Sequence, residues 1–442
     1  KIFDFANGYM DFMTLCKTER EVTSFTEKAL VAAGFEAFDP KKPLKAGDRI
    51  YVNNRGKAVM AAVIGSEDIE KGVDIAAAHI DSPRLDLKQH PLYEDGELAL
   101  FKTHYYGGIK KYQWSTVPLS LHGVIVRADG EKVEINIGEN EGDPQFVVTD
   151  LLPHLGREQS KRPLSEGIKG EELNILLGSR PFNSDPESER VKLNIINILN
   201  EKYGITDKDF VTAELEAVPA AKPVDIGFDR SLIGAYGHDD RVCAYPSMAA
   251  VLNYEGTPEY TLAAVLTDKE EIGSVGATGM GAMYFENTMA ELIACVTGED
   301  KPLTLRRCLQ NSRMLSSDVS AGFDPNFAGV FEKRNASIVG NGVTFNKFTG
   351  SRGKSGSNDA NAEFVAQVRR ICDEANVCWQ TAELGKVDVG GGGTIAYILS
   401  LYGMEVIDCG VAVLNMHAPW EITSKADIYE AYKCYKVFLK EA

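Results

Sequence analysis

The chain has 442 residues, 44% hydrophobic and 25% charged, an ordinary composition for a globular protein with a large core. It carries 47 Lys and Arg against 64 Asp and Glu, which gives a formal net charge of −17. Nucleic acids and anionic membranes are bound by clustered basic side chains, so this acidic balance argues against both as partners.

Apolar runs and cysteines narrow the class of protein further. No run reaches the roughly 18 apolar residues of a membrane helix, and the start of the chain has no signal-peptide pattern. The eight cysteines form no C-x-x-C pair and lie mostly in apolar segments. This is typical of buried, reduced thiols, so we expect a cytoplasmic protein without a cysteine-based zinc site.

The first predicted elements are a helix and two strands. Apolar residues recur at helical spacing after Thr18, a suitable N-cap, and the pattern stops at Gly34. Two strand-like apolar runs follow, at residues 58–65 and 73–80.

The pattern then changes to alternating runs separated by polar loops. Two alternating runs on either side of Asp129-Gly130 predict a β-hairpin. We therefore predict an inserted β-rich domain at residues 86–229. It interrupts a larger domain formed by residues 1–85 and 230–442.

Strands alternate with helices again in the last part of the chain. Apolar runs predict strands at residues 261–266, 312–315 and 406–413. A segment with helical periodicity predicts a terminal helix at residues 425–439. Ser424 and Asp427 resemble a capping box for that helix. Pro246 predicts a kink or a late start in the helix that contains it. The alternation indicates an α/β fold with a mainly parallel sheet, whose strand ends carry the functional site.

Two adjacent carboxylates, Glu270 and Glu271, follow one of these strands. The backbone turns at Gly273, and adjacent residues on such a backbone point to different sides. One carboxylate can then bind a metal while the other faces the substrate as a general base. Taken alone, such a pair is more often a solvated pair of charges.

Further acidic and histidine side chains stand at the ends of apolar runs, namely His79, Asp81, Asp239, Asp240, Asp318 and His417. Taken one at a time, these residues have common structural explanations. His79 and Asp81 can be a hydrogen-bonded pair at a strand end, and Asp239 and Asp240 an acidic pair at a helix N-cap. Asp318 can be a turn aspartate, and His417 a hydrogen-bonded histidine of the core. Asp81, two residues after His79 in an extended segment, faces the same side and can accept its second N–H. Together these residues form a ligand set for two divalent metals, which suits zinc, cobalt or manganese.

Six sequence motifs carry a specific resemblance, AAAHIDSPR, GHDDRVCAY, TDKEEIGS, LSSDVSAGFDPNF, GGGTIA and VLNMHAPWE. With them the chain resembles, nearly from end to end, the aspartyl aminopeptidase and vacuolar aminopeptidase I family of cocatalytic zinc aminopeptidases. The resemblance implies a mainly parallel-sheet metallopeptidase catalytic domain with an inserted β-rich dimerisation domain. It also implies two divalent metal ions per subunit, most simply zinc.

The resemblance assigns the metal ligands. One ion would be bound by His79, Asp240 and Asp318, and the other by Asp240, Glu271 and His417. Asp240 would therefore bridge the two ions.

The resemblance also assigns catalytic roles and an assembly. Glu270 would be the general base and Asp81 the partner of His79. His154, in the context Leu-Leu-Pro-His-Leu, would reach the site of a neighbouring subunit in a homo-oligomer, by resemblance a dodecamer. As a bare sequence feature, His154 is an ordinary surface histidine.

The sequence thus predicts an aminopeptidase that hydrolyses the N-terminal residue from peptides with a free N-terminus. Two alternatives are a two-metal amidohydrolase acting on N-acyl amino acids and a non-catalytic shell protein that retains the fold. The preferred N-terminal residue is left open. Gly353-Lys354-Ser355 is no phosphate-binding loop, because the glycine it needs five residues earlier is Phe348.

Overall fold

The chain folds into two units, one of them discontinuous in sequence, in a computed structural model that describes residues 1–182 and 189–441. The first unit consists of Lys1–Ser82, Pro223–Met416 and Glu421–Ala442, and the second of Pro83–Lys222 and His417–Trp420. The insert predicted at residues 86–229 overlaps the longer segment of the second unit, Pro83–Lys222, and residues 183–188 of the insert lie outside the described part. Its dimerisation role stays a prediction.

Helices and strands alternate along much of the first unit. The helices are α1 (Ile2–Leu15), α2 (Glu19–Ala32), α3 (Arg190–Tyr203), α4 (His238–Leu252), α5 (Tyr284–Thr297), α6 (Pro302–Asn311), α7 (Ala362–Glu374), α8 (Ala396–Ser400) and α9 (Lys425–Glu441). Of these, α3 belongs to the second unit and the others to the first. None of the helices in the described residues is long and apolar enough to cross a membrane.

The strands form three sheets. They are β1 (Glu36–Ala37), β2 (Arg49–Asn54), β3 (Ala58–Val63), β4 (Val73–His79), β5 (Arg84–Asp95), β6 (Leu98–Tyr106), β7 (Leu119–Val126), β8 (Lys132–Ile137), β9 (Val147–Val148), β10 (Ile175–Gly178), β11 (Ala213–Pro219), β12 (Val224–Ile226), β13 (Leu232–Ala235), β14 (Thr261–Thr267), β15 (Arg313–Ser316), β16 (Ser320–Ala321), β17 (Val343–Asn346), β18 (Trp379–Thr381), β19 (Glu405–Gly410), β20 (Ala412–Leu414) and β21 (Glu421–Ser424).

A nine-stranded sheet forms the middle layer of the first unit, in the order β1-β2-β3-β14-β4-β15-β19-β17-β18. Its central strands β14, β4, β15 and β19 run parallel to their neighbours in that series. β3 and β17 pair antiparallel with β14 and β19 on either side of this centre. The prediction of an α/β fold with a mainly parallel sheet is therefore confirmed.

The central sheet is buried on both faces, which explains why its strands are continuous apolar runs. Every residue of β4 is buried. Ile75 and Ala77 belong to one hydrophobic core with residues of α5, α6 and α8. Ala76 and Ala78 point the other way, into a core that contains residues of α1, α2, α4, α7 and α9. Each large apolar side chain buried in these cores stabilises the fold by about 1.5–3 kcal/mol.

A second sheet of the first unit, in the order β12-β13-β21-β20-β16, corrects one predicted strand. The apolar run 406–413 is divided between two sheets, since β19 belongs to the central sheet and β20 to the second. The division comes at Gly410, where a β-carbon would lie 1.8 Å from the carbonyl oxygen of Asp318. Only a residue without a side chain allows the two backbones to pass this closely.

The second unit contains a seven-stranded sheet in the order β8-β7-β11-β5-β6-β10-β9. The predicted hairpin is β7 and β8, whose antiparallel register ends with Val126 opposite Lys132. Gly130 lies in the turn with a φ of 87°, a conformation that glycine adopts without steric cost.

The helix ends show one correct and one wrong prediction. Thr18 caps α2, because its hydroxyl accepts from the Glu21 amide at 3.3 Å and Glu21 accepts from the Thr18 amide at 3.1 Å. Ser424 accepts from the Ala426 amide at 3.2 Å, but Asp427 does not complete a capping box. Its carboxylate accepts instead from the amides of Gly340 and Gly342 in a neighbouring loop, each at 2.7 Å, a partner that local sequence does not reveal.

Candidate metal centre

Three neighbouring parallel strands bring the predicted site residues of the first unit to one edge of the central sheet. β4 ends on His79, which lies opposite Thr267 at the end of β14. Glu270 and Glu271 follow β14, and Asp318 follows β15 on the other side of β4. Because parallel strands end at the same edge, residues nearly 240 positions apart in sequence meet there.

The orientation of His79 is determined by Asp81. Nδ1 of the buried His79 ring lies 3.0 Å from the carbonyl oxygen of Asp81 and 3.3 Å from its carboxylate. A carbonyl oxygen only accepts, so Nδ1 carries a proton. Nε2 then faces Asp239 Oδ1 at 3.1 Å and Asp318 Oδ1 at 4.0 Å. Asp81 thus orients the imidazole so that Nε2 is available as a metal ligand.

Asp239, and not the predicted Asp240, faces this cluster. The backbone of both residues is non-helical at the start of α4, and the peptide bond between them is cis. Asp240 is fully buried, and its Oδ2 accepts from the backbone amide of His79 at 3.2 Å. Neighbouring side chains on such a backbone point to opposite sides, and the sequence Asp-Asp does not reveal which one faces the cluster. Regular helix begins only after Asp240, the predicted late start, although Pro246 itself lies within α4.

The ligand atoms lie close enough to share a cation. One atom each from His79, Asp239 and Asp318 lie within 4.8 Å of one another, and the same holds for His79, Glu270 and Glu271. Burial raises the pKa of Asp318 well above its usual value, and the nearby Asp240 carboxylate raises it further. Packing carboxylates together out of water is costly without a compensating positive charge.

The donor set fits a divalent transition metal. An imidazole nitrogen and several carboxylate oxygens suit zinc, manganese or cobalt, whereas calcium prefers oxygen ligands alone. Burial by itself would lower the pKa of His79, but the carboxylates of Asp239 and Asp81 raise it well above its usual value. A bound cation would displace a proton from this ring, so metal binding and proton release are coupled here.

The turn after β14 is held by the same aspartate that orients His79. Glu270–Ile272 form a single 3₁₀ turn. The two carboxylate oxygens of Asp81 accept from the amides of Glu270, at 3.1 Å, and Glu271, at 3.2 Å. Asp81 therefore sets the position of a candidate ligand and of the candidate base together.

Two residues that support Asp239 were not predicted. Glu421, at the start of β21, accepts from the Asp239 amide at 3.0 Å, and Ser82 donates to its carbonyl oxygen at 2.6 Å. Both side chains are buried. In the sequence, the only sign that Glu421 and Ser82 matter was their place in the motifs HAPWE and HIDSPR. That sign assigned neither residue a role.

A buried arginine fixes the backbone just before Asp239. The fully buried Arg241 donates to the carbonyl oxygens of Gly237 at 2.9 Å, Tyr236 at 3.0 Å and Cys16 at 2.7 Å. Beside it, His238 Nδ1 lies 2.7 Å from the hydroxyl of Tyr9. Burial lowers the pKa of His238 to about 3, so this ring is neutral and acts as a structural link.

The two remaining predicted site residues belong to the second unit. Nδ1 of His417 lies 2.8 Å from the carbonyl oxygen of Gly108, and the residue has a φ of 66°. His154 is exposed between exposed leucines. Their predicted roles in metal binding and across a subunit interface stay predictions.

The rejected phosphate-binding loop is engaged in other contacts. Nζ of Lys354 lies 2.8 Å from Asp359 and 4.0 Å from the centre of the Phe348 ring. Gly390 packs on backbone, because a β-carbon there would lie 1.9 Å from the carbonyl oxygen of Leu384. Gly390 therefore allows two loop backbones to pack closely.

Comparison with known proteins gives full-length matches. The family described as aminopeptidase I zinc metalloprotease (M18) matches residues 12–439. The "Probable M18 family aminopeptidase 1" of Clostridium acetobutylicum is 55% identical over 443 residues, covering 99% of this chain and 95% of that protein. The protein with the same description from Thermotoga maritima is 46% identical over 437 residues, covering 99% and 96%.

Solved structures also match this chain over nearly all of its length. The M18 aminopeptidase of Thermotoga maritima has a TM-score of 0.95 at 46% identity, covering 100% of this chain and 97% of that one. Aminopeptidase I of Clostridium acetobutylicum has a TM-score of 0.91 at 54% identity, covering 97% and 93%. A structure of a dodecamer of the S. cerevisiae protein mApe1 shares the fold, with a TM-score of 0.79 at 20% identity, covering 99% and 97%.

We predict that Gly237→Ala damages the site through Arg241. A β-carbon at Gly237 would lie 1.5 Å from Nη2 of Arg241, on a backbone with a φ of 74°. Gly256→Ala is the matched control, since its φ is 82° but nothing lies within 4 Å. Both variants bear the left-handed strain of about 1–2 kcal/mol, and Gly237→Ala adds an overpacking cost of about 1–3 kcal/mol.

Denaturant unfolding measures the difference between the two variants, and elemental analysis measures the metal retained. We expect Gly237→Ala to unfold at lower denaturant than Gly256→Ala and to lose metal. Equal unfolding midpoints and equal metal contents would show that Arg241 does not hold this backbone.

Proposed function

Because the chain belongs to the aminopeptidase I zinc metalloprotease family M18 and is a metalloaminopeptidase, we propose that it hydrolyses peptides with two divalent ions held at the edge of its central sheet. The observation that carries the proposal is that His79, Asp318, Glu270 and Glu271, at or just after the ends of adjacent parallel strands, meet Asp239 at the start of α4. The amidohydrolase and the non-catalytic shell protein are not favoured, since full-length relatives are described as aminopeptidases.

We assign the first ion to Nε2 of His79 and the carboxylates of Asp239 and Asp318. We assign the second to Asp239, Glu271 and, by family resemblance, His417, so that Asp239 replaces Asp240 as the bridge. The family description favours zinc, and the donors also suit manganese and cobalt. When bound, a pair of such ions supplies Lewis acidity that activates water and polarises a peptide carbonyl.

Glu270 acts as the general base in this proposal. We assign its neighbour Glu271 to metal binding, and Asp81 accepts from the amides of both residues, which fixes the backbone from which the Glu270 carboxylate extends. It takes a proton from the attacking water and returns a proton to the amine that leaves. The substrate is a peptide with a free N-terminus.

The thiols support a reducing compartment. The eight cysteines are all free, and Cys378 is exposed while the other seven are buried. Free thiols persist where disulfides are kept reduced, so the cytoplasmic location stays our prediction.

We further propose a homo-oligomer, a dodecamer as in the mApe1 structure, in which His154 acts across an interface. The segment around His154 exposes apolar side chains, with Leu151 exposed by 53%, Leu152 by 50% and Leu155 by 68%. An apolar surface of this kind fits burial against another copy better than contact with water. His154 would then bind the substrate carbonyl oxygen in the neighbouring site and stabilise its developing negative charge.

Glu270→Gln tests the base. We expect turnover to fall by about three orders of magnitude, within the 10²–10⁴-fold range for loss of a general base. Metal content and oligomeric mass should stay unchanged, because an amide retains the shape of the side chain. Glu363→Gln, an exposed change in α7, is the matched control and should keep full activity. Near-normal turnover of Glu270→Gln would remove Glu270 from the mechanism.

Asp239→Asn and Asp240→Asn separate the two candidate bridges. We expect Asp239→Asn to lose most bound metal, since a shared carboxylate holds both ions. Asp240→Asn should keep far more, because an amide oxygen can still accept from the His79 amide. Elemental analysis of both purified variants decides between them. Metal loss confined to Asp240→Asn would restore the original assignment.

Mixing two inactive variants tests His154. His154→Ala and Glu270→Gln are purified separately, dissociated and reassembled together. If His154 acts on a neighbouring subunit, some sites combine an intact Glu270 with an intact His154, and aminopeptidase activity partly returns. Mixed assemblies confirmed by mass that stay inactive would place His154 in its own subunit's site or outside catalysis.

A further inference from the structure

An ion pair that the proposed mechanism does not use closes the turn that carries Glu270. Asp268 is fully buried at the end of β14. Its Oδ2 accepts from Nζ of Lys269 at 2.9 Å and from the hydroxyl of Thr278 at 2.6 Å, and its Oδ1 accepts from the Lys269 amide at 2.8 Å. The carboxylate therefore binds both ends of Lys269, the residue immediately before Glu270.

The backbone of Lys269 is equally constrained. It is left-handed, with a φ of 66°, and its carbonyl oxygen accepts from the Ser274 amide at 2.7 Å. The side chain packs over Gly276, where a β-carbon would lie 3.1 Å from Cδ of Lys269. Both the start and the return of the loop are thus tied to one residue, Lys269.

A cation is the suitable partner for Asp268 here. Burial raises the pKa of Asp268, and the nearby Glu19 and Asp81 raise it further, whereas Lys269 lowers it. The lysine therefore offsets a buried negative charge in an acidic region, and it does so from a side chain that is only 23% exposed. An exposed ion pair contributes little to stability. A pair that is shielded from water and has a further hydrogen bond holds its groups in a defined geometry.

We propose that Asp268 and Lys269 form a positioning pair that sets the direction of the Glu270 carboxylate. The pair fixes the backbone on one side of Glu270, and Asp81 fixes the amides of Glu270 and Glu271 on the other. This inference rests on the proposed role of Glu270 as the base. Lys269 itself touches neither substrate nor metal in this proposal and acts through its neighbour.

Lys269→Met tests the pair by removing the charge and keeping the apolar part of the side chain. We expect kcat to fall by about 10–100-fold, the effect of misplacing a catalytic group by about 1 Å. KM, metal content and oligomeric mass should stay nearly unchanged. Lys269→Arg keeps the charge and should recover most of kcat.

Lys71→Met is the matched control. It breaks an exposed Lys–Glu ion pair of 2.6 Å with Glu67 and should leave kcat unchanged. Unchanged kcat in folded Lys269→Met, or a loss of kcat that follows loss of metal, would overturn the positioning role.

The double variant Lys269→Met with Glu270→Gln separates this inference from the assignment of the base. If Lys269 acts through Glu270, adding Lys269→Met should change the residual kcat of Glu270→Gln by less than about twofold, because residues that act as one unit are not additive. A full further 10–100-fold loss would show that Lys269 acts independently and would overturn the inference. Near-normal kcat in Glu270→Gln alone would instead remove the proposed base.

Thr278→Val provides a second, milder variant should Lys269→Met fail to fold. It removes one hydrogen bond to Asp268 and leaves the ion pair in place. We expect a folded enzyme whose kcat is lower by about 3–10-fold at unchanged KM, since a smaller displacement costs less. Full kcat in folded Thr278→Val would contradict a positioning role.

Discussion

The first unit is organised around carboxylates held close together out of water beside a single imidazole. Like charges in such a place repel one another, and burial raises the pKa values of Asp240 and Asp318 well above their usual range. A bound divalent cation would offset this repulsion, and the donor set fits such an ion. The central sheet supplies the rigidity, because its strands are buried on both faces and end at the same edge.

One aspartate connects the parts of this centre. Asp81 orients His79 through its carbonyl oxygen and binds the Glu270 and Glu271 amides through its carboxylate. A shift of His79 is therefore transmitted to Glu270 and Glu271, because all three residues are held by Asp81, just after the end of β4. Glu421 supports Asp239 in a comparable way from β21. The site is thus a network of buried hydrogen bonds in which each member constrains the next, and such networks lose more than the sum of their parts when one member is removed.

Many elements were predictable from local sequence, and the exceptions share a cause. Helix α2, strands β3, β4 and β14, and the hairpin of β7 and β8 follow from periodicity, capping and turn residues. The run 406–413 was predicted as one strand, yet it is divided between two sheets at Gly410. Asp427 was predicted to cap its own helix, yet it binds the amides of Gly340 and Gly342. In both cases a residue distant in sequence provides the deciding contact, and periodicity contains no information about it.

The sequence by itself determined the class of fold, the family and the set of residue types that meet at the site. It could do so because strand periodicity and the histidine and acidic residues at the ends of apolar runs are local features, and the motifs carry the family resemblance. Only the tertiary structure decided which of Asp239 and Asp240 faces His79, since two adjacent carboxylates are chemically identical until the backbone turns one of them away. It also decided that Asp81 supports Glu270, and that Lys269 and Asp268 close the turn around it. These assignments depend on side-chain direction and on contacts between distant strands, which exist only once the chain has folded.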